Sequence, residues 1–293
     1  MSRRELAGDE VFEQISPDVG ELDESMIDQM LDEDPDATLT TLATLTAAVD
    51  EALRAKARAA ACRIAIDIAR RGPAVRHRVG RLRSRPLTDG GGDLDIDAAV
   101  EAIAATGGGI PDVDDLRQIV WERPDTALCL VIDRSGSMRG DALATAALAA
   151  AAVACRAPRD HAVLAFAGEV EVLRAMSDPP PSGPNGAEAL IDHVLGLTGH
   201  GTTDVAGALV AAGRQCEQST AGRRLTVLLS DCRSTEPGDV VTAAGAVDEL
   251  IVIAPAGDDA DARALCDAVG ARCVTVAGPS DVVAALDQAL SRT

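Results

Sequence analysis

Three short segments carry oxygen-bearing side chains at spacings that can converge on one cation. Asp133-Arg134-Ser135-Gly136-Ser137-Met138 alternates a carboxylate with two hydroxyls, and Gly136 permits the tight turn that aims all three at one point. His200-Gly201-Thr202-Thr203-Asp204 supplies further hydroxyls and a carboxylate, and Leu228-Leu229-Ser230-Asp231 ends on another carboxylate just before Cys232. Hard oxygens of this kind suit a small cation with octahedral demands. Magnesium is the first choice, with manganese and calcium as alternatives.

Rival chemistries fail on particular residues. An aspartyl phosphotransferase also sets an aspartate at a strand end beside magnesium, but it wants a second acid two positions on. Here that position is Ser135, and no lysine follows Lys56 to neutralise a phosphoryl group. Gly107 to Gly109 lack the GxGxxG spacing and no GxxxxGK[ST] occurs, so neither dinucleotide nor nucleoside triphosphate binding is expected. His77, His161, His193 and His200 show no metal-ligand spacing. Cys129 and Cys155 read as core positions, and only Cys232 lies at the rim of the oxygen-rich segments. Arg139-Gly140-Asp141 reads as a turn and a helix start rather than as an adhesion tripeptide. The alternating aspartates Asp93, Asp95 and Asp97 begin like a calcium loop. Ala98 and Ala104 then stand where a glycine and a bidentate glutamate are needed, so an edge strand with a helix cap at Asp97 is expected instead.

The elements that must position these segments follow from hydrophobic periodicity. From residue 125 onward, aliphatic runs at 127–133, 161–167, 225–230, 250–254 and 272–276 alternate with amphipathic stretches at 141–156, 186–196, 204–219, 238–246, 259–269 and from about 280. This alternation predicts an α/β fold with a doubly wound, mainly parallel sheet and helices on both faces. Residues 169–174, one turn after Gly168, add an antiparallel edge strand. Ligands in such sheets sit beyond the carboxyl ends of the strands, where the oxygen-rich segments fall.

Ahead of this domain the chain changes character. Residues 1–36 form an acidic arm with 13 acids against Arg3 and Arg4. Ile27, Met30 and Leu31 make a narrow apolar stripe there, up to Pro35. The arm is either a solvated, partly disordered tail or a partner-docking helix. Residues 37–85 read as a helical basic region, with one helical pattern running from Leu39 to Arg71 and 11 bases between 54 and 85 against Asp67 alone. Residues 86–124 read as a linker with a short strand and helix, and 125–293 as the α/β domain. Aromatics are 1% of the chain, so the core must be built from Ala, Val, Leu and Ile. The net charge of −20 and the missing aromatics argue against a nucleic-acid binder, and a basic face that meets the acidic arm is the better account of 54–85. From seven scattered cysteines, a charged start without a leader pattern and no apolar span, a cytoplasmic protein is expected; Ala142–Ala154 comes nearest to a span.

The segment DRSGSM resembles the metal-ion-dependent adhesion site of von Willebrand factor A domains, whose pattern is Asp-x-Ser-x-Ser after the first strand. TTDVAGAL (Thr202 to Leu209) resembles that family's threonine loop, and LLSD (Leu228 to Asp231) its later aspartate loop. The resemblance covers residues 125–293. It implies that Ser135 and Ser137 ligate the metal directly, that Asp133 and Asp231 act directly or through water, and that Thr203 joins in one conformational state, with Thr202 its rival. Arg134, Met138, Thr202, His200 and Cys232 would then surround the metal where a partner binds. Cys232 departs from the glycine that the family often has at that position.

Such a site implies binding rather than catalysis, because two carboxylates and neutral hydroxyls leave the cation an open position for a partner's carboxylate. With its N-terminal helices and no AAA+ module, the chain resembles intracellular bacterial members that work with MoxR-type AAA+ ATPases, or the larger subunit of magnesium and cobalt chelatases. The expectation is a non-enzymatic adaptor that couples a separate ATPase to a client in metallocofactor insertion or complex maturation. Two alternatives are a nucleic-acid-associated protein using residues 54–85 and a metal-stabilised scaffold. No membrane partner is expected.

Overall fold

The aliphatic runs and the amphipathic stretches between them fold into alternating strands and helices. The computed structural model describes residues 15, 21–47, 50–71, 81–87, 93–122, 126–136, 140–180, 186–199 and 201–291. The chain divides into two compact units, residues 1–75 with 126–292 and residues 76–125. Among the described residues the first unit has α1 (Glu24–Glu33), α2 (Pro35–Leu45) and α3 (Glu51–Arg71) ahead of the second. The second holds β1 (Arg81–Pro86), β2 (Asp93–Leu94), α4 (Ile96–Ala105) and β3 (Arg117–Glu122). The first unit resumes with β4 (Thr126–Asp133), α5 (Asp141–Arg156), β5 (His161–Phe166), β6 (Val170–Arg174), α6 (Glu188–Leu195) and α7 (Val205–Cys216). It ends with β7 (Arg223–Leu229), α8 (Val240–Gly245), β8 (Leu250–Pro255), α9 (Ala260–Val269), β9 (Arg272–Val276) and α10 (Asp281–Ser291).

The six strands of the first unit run in the order β6-β5-β4-β7-β8-β9, parallel except for the edge strand β6. Strand order reverses at β4, which has β5 on one side and β7 on the other. The crevice beyond Asp133 is therefore the switch point where such sheets bind ligands.

Two aliphatic layers cover the sheet. On one face α7, α8 and α9 pack Leu209, Ala243 and Leu265 against Val131, Leu164 and Val252. On the other, α5, α6 and α10 join the N-terminal helices over Leu130, Ile132 and Val163. Helix α5 is buried all round, with Ala146 through Val153 at most 1% exposed. It lies between the sheet and α3, whose Ala57, Ala61, Ala65 and Ala69 recur every four residues and are all buried. Small side chains on facing ridges let the backbones approach closely, which explains a core with so few aromatics. The apolar run Ala142–Ala154 belongs to this sandwich, and among the described residues no helix is long and apolar enough to cross a membrane. The acidic α1 buries Ile27 in the same core, and Arg63 of α3 lies 3.8 Å from its Asp28.

Four local expectations are corrected. The helical pattern from Leu39 to Arg71 is two helices, because Asp50 accepts from Ala52 and Leu53 N–H groups and starts α3 afresh. Arg81–Pro86, expected within the helical basic region, is a strand paired antiparallel with β3; its Arg-x-Arg-x-Arg alternation has the two-residue period of a strand. The cap of α4 is Asp95 rather than Asp97, with its carboxylate accepting from Ala98 N–H at 3.1 Å. Cys129 is buried as expected, but Cys155 is exposed.

Candidate metal centre

Asp133 is the last residue of β4, and the chain turns away from the sheet immediately after it. The turn is fixed at both ends: Asp133 Oδ1 accepts from Ser135 N–H at 2.8 Å, and Arg134 N–H donates to Phe166 O at 2.8 Å. At the end of neighbouring β7, Ser230 Oγ donates to Asp133 Oδ2 at 2.5 Å and accepts from Cys232 N–H at 2.8 Å. This hydroxyl therefore joins the β4 loop to the aspartate loop. Asp231 follows it, with Oδ1 accepting from Arg233 N–H at 2.9 Å. Burial pushes the Asp133 carboxyl above the usual carboxylate range. The charge of Asp231 acts the same way, against the hydrogen bonds from Ser135 and Ser230.

The threonine loop is held between the end of β5 and the segment that follows the aspartate loop. Asp204 N–H donates to Ala167 O at 2.8 Å just after β5, and Thr202 Oγ sits over Gly168, where any Cβ would lie 2.6 Å from it. Thr203 is buried; its N–H donates to Thr235 Oγ, and its carbonyl accepts from Thr235 and Glu236 N–H groups. The three oxygen-rich loops are thus tied to one another at the carboxyl end of β4. Ser137, Met138 and His200 lie outside the described residues.

A cleft of about 370 Å³ opens here, lined on its polar side by Asp133, Ser135, Asp141, Thr145, Ser230 and Asp231. Neither Thr202 nor Thr203 lines it. Arg134 turns away, 14% exposed, with Nη2 3.5 Å from Glu171 of β6. Arg233 is likewise engaged by Asp258 and Asp261. Among the described residues, no arginine, lysine or histidine pairs with Asp133 or Asp231. Two neighbouring carboxylates, one of them largely buried and neither paired with a cation among the described residues, form a site whose charge a bound cation would balance. Among the described residues no group of three or more His, Cys, Asp or Glu could hold a metal ion. A cation here would rest on two carboxylates and hydroxyls, and the donor set fits a hard dication.

Two features lay beyond the sequence reading. Ser230 is a member of the cluster, and its place directly before Asp231 was the available signal. Cys232 has φ +64°, the one left-handed non-glycine among the described residues. That conformation accounts physically for a glycine preference at this position. Burial pushes its thiol up to about 12, which makes it a poor nucleophile.

Residues 128–234 match the family model of the von Willebrand factor type A domain. No curated protein matches the chain. Among solved structures, a von Willebrand factor type A protein from Catenulispora acidiphila is 19% identical over 59% of this chain and 43% of that one, with a TM-score of 0.46. This chain therefore spans less than half the length of that protein. An aerotolerance-related membrane protein from Bacteroides fragilis is 16% identical over 57% of this chain and 100% of that one, at 0.46. BatB from Bacteroides thetaiotaomicron is 16% identical over 58% and 98%, at 0.43. From Leu128 to Ser234 the chain is similar to von Willebrand factor type A domains, and its six-stranded, mainly parallel sheet with helices on both faces is the fold of that family.

Proposed function

We propose that the cleft beyond β4 binds a divalent cation, magnesium first, and through it an acidic side chain of a protein partner. The observation that carries this reading is the pair Asp133 and Asp231, adjacent, without a pairing cation among the described residues, and set among the Ser135 and Ser230 hydroxyls. Asp133, Ser135, Ser137 and Asp231 would hold the ion, with Thr203 or Thr202 joining on rearrangement of its loop. Two carboxylates match the charge of the dication while the hydroxyls add none, so a partner carboxylate gains a charge-assisted contact with strong orientational preference. The chain itself carries a net charge of −20, so an acidic partner is repelled on average and such an ion supplies a local attraction.

On this reading the protein is a non-enzymatic adaptor. The resemblance of its sequence to MoxR-associated and chelatase-subunit proteins names the partner class, a separate AAA+ ATPase of the MoxR type, with a client in metallocofactor insertion or complex maturation. Calorimetric titration with magnesium and manganese tests the site, and capture of the ATPase with and without EDTA tests the role. Capture lost in EDTA and in Asp133→Ala, without a matching loss of stability, supports the adaptor over a metal-stabilised scaffold. A purified protein that binds neither ion, together with partner binding indifferent to Asp133→Ala, overturns the reading.

A further inference from the structure

Helix α2 packs on α5 and α3 through Leu39, Leu42, Ala43 and Leu45, a buried apolar face that would hold the helix by itself. It also carries a second, polar stripe at Asp36, Thr40 and Thr44, spaced four residues apart and hence on one side of the helix. Each of the three meets a turn at the cleft. Asp36 Oδ1 accepts from Ser280 N–H at 2.8 Å and Oδ2 from Ser280 Oγ at 2.9 Å, in the turn that leads from β9 into α10. Thr40 Oγ donates to Asp141 Oδ1 at 2.6 Å, at the start of α5. Thr44 Oγ lies 3.6 Å from where a Cβ on Gly140 would stand, one residue before Asp141.

Asp141 and Gly278 both line the cleft beside Asp133, Ser135 and Asp231. One turn of α2, about 6 Å, therefore separates its grip on one lining segment from its grip on another. The grip at the α10 end is close: a Cβ on Gly278 would lie 2.3 Å from Asp36 Oδ2 and would push that carboxylate aside. Neither the Asp36 bonds nor the Thr40 bond is needed to bury the apolar face, and both hold segments that line the cleft.

We infer that α2 is a strap, with Asp36 and Thr40 as positioning residues that hold the starts of α10 and α5 and so keep the cleft in the geometry that takes a divalent cation. The inference rests on the reading of that cleft as a cation site. It makes the N-terminal helices part of the site's control: a partner that displaces α2 lowers cation affinity, and by linkage the bound cation holds α2 down.

Manganese binding to the full chain, followed by the electron paramagnetic resonance of free Mn2+, tests this in wild type, Asp36→Ala, Gly278→Ala and the double variant, with melting in EDTA as a folding control. Asp36→Ala and Gly278→Ala remove the same contact from opposite sides, and Gly278→Ala leaves the charge unchanged. Each is expected to weaken Mn2+ binding about fivefold or more. The double variant is expected to be no weaker than the worse single one, because the two losses are one loss. Thr40→Val, which removes only a hydroxyl, is expected to shift affinity in the same direction while melting as wild type does. Wild type that binds Mn2+ beside variants of equal affinity overturns the strap alone, as do losses that add in the double variant. Wild type that binds no Mn2+ overturns both the strap and the cation site.

Discussion

Ser230 Oγ donates to Asp133 Oδ2 at 2.5 Å, so the hydroxyl that ends one central strand holds the carboxylate that ends its neighbour. The same oxygen accepts from Cys232 N–H, which leaves Ser230 as the joint between two loops whose bonded pair is 97 positions apart in the chain. Ser230→Ala would strand a buried N–H and remove one of the donors that favour the ionised form of Asp133. It is expected to cost about 1–3 kcal/mol of stability in urea unfolding, more than an exposed serine would.

Asp133 is held in place at a cost. Burial and the charge of Asp231 both disfavour its ionised form, and its hydrogen bonds do not reverse that. Asp133→Asn removes the charge and keeps an oxygen for Ser135 N–H. The metal-free protein is therefore expected to gain about 0.5–2 kcal/mol at neutral pH, as residues kept for binding rather than for stability do when replaced. Addition of magnesium to the wild type at 100 times its dissociation constant is expected to stabilise it by about 2.7 kcal/mol. Asp133→Asn is expected to lose that increment, as read by melting with and without EDTA.

Cys232 combines a buried side chain with a φ of +64°. Cys232→Gly relieves about 1–2 kcal/mol of backbone strain but gives up buried area of similar worth, so its stability is expected to stay within about 1 kcal/mol of wild type. Cys232→Val keeps the area and puts a β-branched residue in a conformation that it resists. It is expected to cost about 1–3 kcal/mol. Urea midpoints that ranked valine above glycine would sink the strain argument.

How much of this was legible in the sequence depended on how local the cause was. The strands that end at Asp133 and Leu229 could be read because their aliphatic runs have their own period, and the loops beyond them because oxygen-bearing residues cluster there. The role of Ser230 could not be read, since its partner is set by the pairing of β4 with β7. The alanines at 57, 61, 65 and 69 announce a close-packed face, but nothing in their spacing names α5 as the surface that they meet. The strand at Arg81–Pro86 was hidden because alternating arginines read as a basic helix face until a partner strand supplies the ladder. Where the sequence offered Thr202 and Thr203 as rivals, the fold gives them different settings. Thr202 is packed over Gly168 and Thr203 is buried beside Thr235, and both lie outside the lining of the cleft.

His161 opens β5 fully buried, with Nδ1 2.7 Å from Ala157 O and Nε2 without a partner among the described residues. Burial, reinforced by the charge of Arg174, holds its pKa down to about 4 against an ordinary 6.5. The unfolded chain therefore binds the proton more readily than the fold does between these values. Stability contributed here is present above about pH 6.5 and is lost as pH falls toward 4, with a slope that approaches about 1.4 kcal/mol per pH unit. His161→Leu is expected to remove that slope from the urea midpoint measured between pH 4.5 and 7 while leaving the contribution of the carboxylates.

Arg156 and Asp287 hold the far end of the same helices that α2 grips at the cleft. Their side chains are 9% and 8% exposed, with Nε 2.5 Å from Oδ1 and Nη2 2.9 Å from Oδ2, and Arg156 Nη1 also donates to Ala69 O at 3.1 Å. One guanidinium thus ties the ends of α3 and α5 to α10. Loss of one partner leaves the other charge buried and unpaired, so Asp287→Ala is expected to cost about 3–5 kcal/mol. Replacement of both, as Arg156→Met with Asp287→Leu, removes the desolvation cost along with the attraction and is expected to cost far less than the single variant. The pair lies at the amino-terminal end of the sheet, away from Asp133. The double variant should therefore retain the magnesium-dependent melting shift of the wild type, and its loss would mean that α10 transmits strain along its whole length to the cleft.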